Sequence, residues 1–168
     1  YSWDAVVDPD PAAQDAARAQ WAVPNVVKDL RELGPRVNSV EALVLATPPN
    51  ARIGLLESFP ALRAVLVEKP LGLSLADSRE FLRRCKERNI LVQVNLWRRA
   101  DERFRVLAHG KLRELIGEPQ FGFGVYGNGL LNNGTHMIDF VRMLMGEIVS
   151  VSCVPDRKST RLNSSHRT

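Results

Sequence analysis

The sequence predicts an α/β protein built on a parallel, doubly wound sheet, and three observations carry that expectation. Two short apolar runs read as buried strands, Ala42-Leu43-Val44-Leu45-Ala46 and the β-branched Ala64-Val65-Leu66-Val67, the latter covered on both faces. Stretches with helical period alternate with such runs, which is the pattern of a parallel sheet with crossover helices. These two runs, and the earlier Trp3–Val7 stretch, each end on a proline turn: Thr47-Pro48-Pro49, Lys69-Pro70 and Asp8-Pro9.

Taken in order, Trp3 to Val7 reads as a first strand. Asp10 as N-cap and Pro11 at the first helical position open an alanine-rich helix through about Trp21. Val26 to Leu33 reads as a second short helix, stopped by Gly34-Pro35. After the Ala42–Ala46 strand, a helix over roughly Ala51–Phe59 leads to the Ala64–Val67 strand. Ser74 then caps a long amphipathic helix to about Arg88, with Leu75, Phe81, Leu82 and Cys85 apolar among charges. Ile90 to Leu96 is a further strand. The pattern changes near Arg98. Ala100 to Leu115 reads as a charged helix stopped by Gly117-Glu118-Pro119. Gln120 to Tyr126 alternates strictly, with Phe121, Phe123 and Val125 on one face and Gly122, Gly124 and Tyr126 on the other. It reads as a half-buried strand of a second sheet whose glycine face meets another backbone. A helix over Thr135–Met145 and a strand over Ile148–Val154 follow. The expected organisation is a partial dinucleotide-type domain over 1–97, the start of an α+β domain with an antiparallel sheet over 98–155, and a non-native tail over 156–168.

Composition narrows the function classes. Apolar residues make up 45% of the chain and charged residues 25%, which is ordinary for a globular protein. No apolar run approaches the roughly 18–20 residues that span a bilayer. The net charge of +4 is concentrated in the tail, where Arg157, Lys158, Arg161 and Arg167 stand against Asp156 for +3, leaving +1 elsewhere. No basic stripe remains to suggest nucleic acid. Cys85 and Cys153 have no metal or redox spacing and read as reduced thiols of a cytoplasmic protein.

The chemistry-bearing pattern is Glu68-Lys69-Pro70 at a strand end, answered downstream by Gly134-Thr135-His136-Met137-Ile138-Asp139. Strand carboxyl ends are where open α/β sheets bind ligands, and proline stiffens the turn that carries Lys69. Alone, Lys69 reads as a solvated loop lysine and His136 as a core histidine on an apolar helix face. Together they read as a site. Asp139, three residues on, shares the histidine's helical face and reads as structural, an orienter of backbone or of the histidine.

Both motifs resemble the signature positions of the glucose–fructose oxidoreductase/inositol dehydrogenase (Gfo/Idh/MocA) family, and the resemblance runs from Trp3 to Val154. It implies a Rossmann-type nucleotide-binding half that here lacks the first strand and its glycine-rich loop, followed by part of a sheet used for homo-oligomerisation. It further implies a nicotinamide-dependent oxidoreductase acting on a secondary alcohol of a sugar, inositol or nucleotide-sugar. A non-catalytic dinucleotide-binding regulator and an inactive fragment are the alternatives.

By that resemblance Lys69 and His136 are catalytic, with Lys69 on the reacting oxygen, His136 as proton acceptor, and a cis peptide bond before Pro70. Asp8, Thr47, Pro48, Asn50, Glu68, Lys69 and Arg98 would bind cofactor, and Lys69, Asn132 and His136 would bind substrate. A carboxylate at Asp8 suits the ribose hydroxyls of NAD better than the 2′-phosphate of NADP, although Asp8 also reads as a plain turn aspartate. Two departures from the family stand out. Arg52 occupies a position where the family often has histidine, and Asn132 one where it often has aspartate.

Overall fold

In the computed structural model, which describes residues 3–153, five short strands run parallel in two ladders. β1 (Ala5–Val7) pairs with β2 (Asn25–Val27), and β3 (Ala42–Leu45), β4 (Ala64–Val67) and β5 (Leu91–Val94) form the second ladder with β4 central. Between β1 and β2 lies α1 (Pro11–Trp21), opened by the Asp10 carboxylate accepting from the Ala12 amide. α2 (Arg52–Glu57) joins β3 to β4, and α3 (Leu75–Glu87) joins β4 to β5. Ser74 caps α3 by accepting from the Asp77 amide, as its position before an amphipathic run requires.

The register explains where the core sits. Leu43, Leu45, Val65, Val67, Val92 and Val94 share one face of the ladder. Onto this face α2 lays Leu56 and α3 lays Phe81 and Cys85, four residues apart and therefore on one stripe. Phe59, Leu62 and Ile90 close the cluster. The opposite face is open: Val44, Leu66 and Leu91 stay exposed. Burial on both faces, expected from the Ala64–Val67 run, therefore holds for one face only in this chain.

Four expected elements take another form. Val26 to Leu33 is not a helix. Val26 and Val27 pair with β1, and a 3-10 stretch over Leu30–Ser39 follows, kinked where Gly34 takes φ +53 before Pro35. β-branched residues beside an available strand edge overrode the short helical period. The Ala100–Leu115 helix is broken into α4 (Glu102–Val106) and α5 (Leu112–Ile116) by a π turn at Leu107–Lys111, where Gly110 takes φ +119. Residues 120–126 form no strand, and no antiparallel pair occurs among the described residues. Their glycine face meets side chains rather than another backbone: a Cβ at Gly122 or Gly124 would lie 3.4 and 3.3 Å from the Met145 and Met137 sulfurs. Those methionines belong to α6 (Thr135–Met145), whose bounds match expectation. Residues 148–153 likewise carry no strand, and Val154 and the 156–168 tail lie outside the described residues.

Candidate active site

The carboxyl end of the three-strand ladder places two loops side by side. After β3 comes Thr47-Pro48-Pro49, and after β4 comes Glu68-Lys69-Pro70, with a cis peptide bond between Lys69 and Pro70. The Glu68 amide donates to the Leu45 carbonyl at 2.9 Å, extending the ladder past its last strand residue. From β5's end, the Asn95 amide donates to the Val67 carbonyl at 2.8 Å and its side-chain amide donates to the Glu68 carboxylate. Glu68 is thus held from both neighbouring strands. Gly72 lets the loop turn down onto α3, since a Cβ there would lie 2.7 Å from the Ser78 amide nitrogen.

A third segment reaches this edge from far along the chain. Thr135 opens α6, its hydroxyl donating to the Asn132 carbonyl at 2.7 Å. The Lys69 ammonium donates to the Asn132 side-chain oxygen, a contact across 63 positions. The two residues line one open cleft of about 590 Å³ with Pro70, Leu73, Leu130 and Leu131.

α6 is oriented by the segment after β5. Asp139, buried to 6% exposure, accepts from Arg99 at 2.7 Å, so its partner is an arginine rather than the histidine. One residue along, Phe140 packs edge-on against Phe104 with centroids 5.1 Å apart. The Arg98 guanidinium lies 4.7 Å from the Trp97 ring centroid and 5.8 Å from that of Phe140. His136, Asp139 and Phe140 share a helix face by their spacing, and the charges of Lys69 and Glu68 on the strand-end loop act on His136. Burial pushes the His136 pKa below 6.5; the Lys69 and Arg98 charges push the same way, and Glu68 and Asp139 oppose them. The imidazole is therefore neutral at pH 7, with a lysine close enough to be felt.

The structure brings together Glu68, Lys69, Arg98, Asn132 and His136 from the candidate set. Thr47 and Pro48 stand on the neighbouring loop, and Asn50 sits exposed in a 3-10 turn after it. Asp8 lies apart, at the end of β1. Its carboxylate accepts from the Asp10 amide at 2.8 Å, which is the turn-aspartate role open from the sequence. A bound dinucleotide fits the polar atoms left over: the Thr47 hydroxyl and one Arg98 guanidinium nitrogen are buried without a hydrogen-bond partner. Asn95 and Arg99 escaped sequence reasoning as site members because their partners lie 27 and 40 positions away.

The family model for an oxidoreductase family with an NAD-binding Rossmann fold, Gfo/Idh/MocA, matches residues 1–96. The chain belongs to this family. Among curated proteins it is similar to mouse (Mus musculus) trans-1,2-dihydrobenzene-1,2-diol dehydrogenase, at 28% identity over 156 residues, covering 80% of this chain and 47% of that protein. The chain spans about half the length of the curated relatives it matches. Two solved structures share its fold. One is an Agrobacterium radiobacter oxidoreductase in complex with NAD+, L-tartaric acid and magnesium, with TM-score 0.68, 21% identity, and 86% of this chain and 47% of that one covered. The other is Lactobacillus casei scyllo-inositol dehydrogenase with bound NAD(H) and scyllo-inositol, with TM-score 0.64, 22% identity, and 85% and 48% covered. No described helix is long and apolar enough to cross a membrane.

Proposed function

We propose that the whole protein moves hydride between NAD and a secondary alcohol of a small, sugar-like substrate, with Lys69 and His136 as its catalytic pair. The convergence of Lys69, Asn132 and His136, drawn from sequence positions more than sixty residues apart, is the observation that supports this most strongly. When bound, the nicotinamide supplies the hydride acceptor. Lys69 donates a hydrogen bond to the alcohol oxygen and stabilises the negative charge that builds there. His136, neutral at pH 7, takes the hydroxyl proton and returns it in the reverse direction. Asn132 orients the ammonium and offers its amide nitrogen to a second hydroxyl. Thr47, Pro48, Asn50, Glu68 and Arg98 form the cofactor side.

Asp8 supports NAD over NADP, because a carboxylate accepts from a 2′-hydroxyl and repels a 2′-phosphate. The division near residue 97, a homo-oligomer of the full-length protein formed through its C-terminal sheet, and a cytoplasmic location belong to the same reading. The second reading, a dinucleotide-binding regulator without turnover, is favoured by Asn132, which cannot hold a proton.

Replacement decides between them. In the full-length protein, Lys69→Met should lower alcohol oxidation by about 100-fold or more, with NAD affinity nearly unchanged. His136→Asn should flatten the acidic limb of the pH–rate profile. Steady-state kinetics on trans-1,2-dihydrobenzene-1,2-diol and scyllo-inositol supply the measurement. Wild-type turnover in the Lys69 variant would reject the assignment, and NAD binding with no turnover of any alcohol would favour the regulator.

A further inference from the structure

We propose that Arg52 is a positioning residue that locks the loop after β3 to the Lys69-Pro70 loop, so that the Lys69 ammonium is held at a set place relative to Thr47. This rests on Lys69 being the reacting-oxygen donor described above.

Arg52 opens α2 with only 2% of its surface exposed, and it is one of the largest fully buried side chains among the described residues. Its Nε donates to the Thr47 carbonyl at 3.0 Å. Its Nη1 donates to the Pro70 carbonyl at 2.5 Å and to the Leu71 carbonyl at 3.2 Å. One guanidinium thus holds three main-chain oxygens from two loops, the second of them 18 and 19 positions beyond Arg52 itself. No carboxylate hydrogen-bonds to it among the described residues; the charge is solvated by carbonyls, with Glu68 supplying the nearby negative charge. Burial alone could be filled by leucine or methionine, but either would strand the three oxygens. An arginine can serve them because its donors spread in a rigid planar fork.

The consequence falls on Lys69. On its amino side, Glu68 is tied to Leu45 and Asn95; on its carboxyl side, Pro70 is tied to Arg52. The backbone carrying the ammonium is therefore clamped at both ends, and the clamp's other jaw is the loop carrying the unpartnered Thr47 hydroxyl. A lysine and a cofactor loop held by one side chain cannot drift apart independently.

The test uses the full-length protein with Arg52→Met, Arg52→Ala and Arg52→Lys. Hydrogen exchange read by mass spectrometry should rise about tenfold in Arg52→Met at residues 47–51 and 69–73 together, with α3 and β4 nearly unchanged. In alcohol oxidation, kcat should fall about 30-fold while the NAD dissociation constant moves by less than about threefold. About 20 mM guanidinium should restore a large part of kcat to Arg52→Ala and none to Arg52→Lys, whose ammonium fills the space. Faster exchange in only one of the two loops, equal loss of kcat and NAD affinity, or no recovery with guanidinium would overturn the proposal. Should Arg52→Met loosen the whole core, Arg52→Lys and the guanidinium rescue decide. If the wild type binds NAD but turns over no alcohol, the hydride-transfer reading fails, and the exchange pattern alone still settles whether Arg52 joins the loops.

Discussion

Residues 3–97 and residues 98–153 hold themselves together in different ways. The first stretch contains all nine members of the apolar cluster, from Leu45 to Ile90. The second has two buried residues among those described, Gly134 and Asp139, and leaves Phe121, Phe123 and Val149 more than 80% exposed. In its place stand directional contacts: Arg99 with Asp139, Arg98 over Trp97 and Phe140, and Phe104 edge-on to both rings. Apolar burial scales with area and tolerates many arrangements, whereas an ion pair and ring contacts set an orientation. The candidate site joins the two regimes, with Lys69 rooted in the packed ladder and His136 carried on α6, which the polar and aromatic contacts hold.

The largest expected contrast lies in the core. Phe81→Ala, at 2% exposure, should cost about 3–5 kcal/mol of unfolding free energy. Phe123→Ala, at 86% exposure, should stay within about 0.5 kcal/mol. Urea unfolding of both variants measures the pair, and similar losses would mean that the 120–126 segment is packed as firmly as the ladder.

A smaller effect is expected at the seam. Asp139→Ala removes a buried acceptor but leaves Arg99, whose side chain is 42% exposed, free to be hydrated. The cost should be about 1 kcal/mol in the same assay. A loss as large as that of Phe81→Ala would mean that α6 is part of the main cooperative core.

The smallest effect is also the most local. His136 should titrate below 6.5 when followed by its ring proton in NMR, and Lys69→Met should move that midpoint upward by removing a like charge. The unfolded chain takes up the proton first, so this histidine's contribution to stability is present above about pH 6.5 and is lost as pH falls through the folded-state value. A midpoint unmoved by Lys69→Met would separate the two groups and remove the electrostatic link between the regions.

How much could be read in advance follows the range of each interaction. Asp10 with Pro11, and Ser74 before its amphipathic run, named their helix starts because capping operates within three residues. Lys69-Pro70 announced a strand-end turn, and α6 showed its bounds through periodicity. The β2 strand was not readable, since Val26 and Val27 become a strand only by meeting β1. Arg52 looked like a departure at a cofactor loop, and nothing near it in sequence shows that its donors reach Pro70 and Leu71.

The residue order alone settled the parallel α/β class, the turns at the strand ends, and the pair of motifs that marks the family, because these depend on local period, caps and residue type. Tertiary structure decided which face of the ladder is covered, which strand edge claims Val26 and Val27, and which distant side chains hold Lys69 and His136. Those outcomes depend on contacts between residues 18 to 63 positions apart. A side chain's partner at that range is set by where the packed elements bring it, and no pattern in the neighbouring residues encodes it.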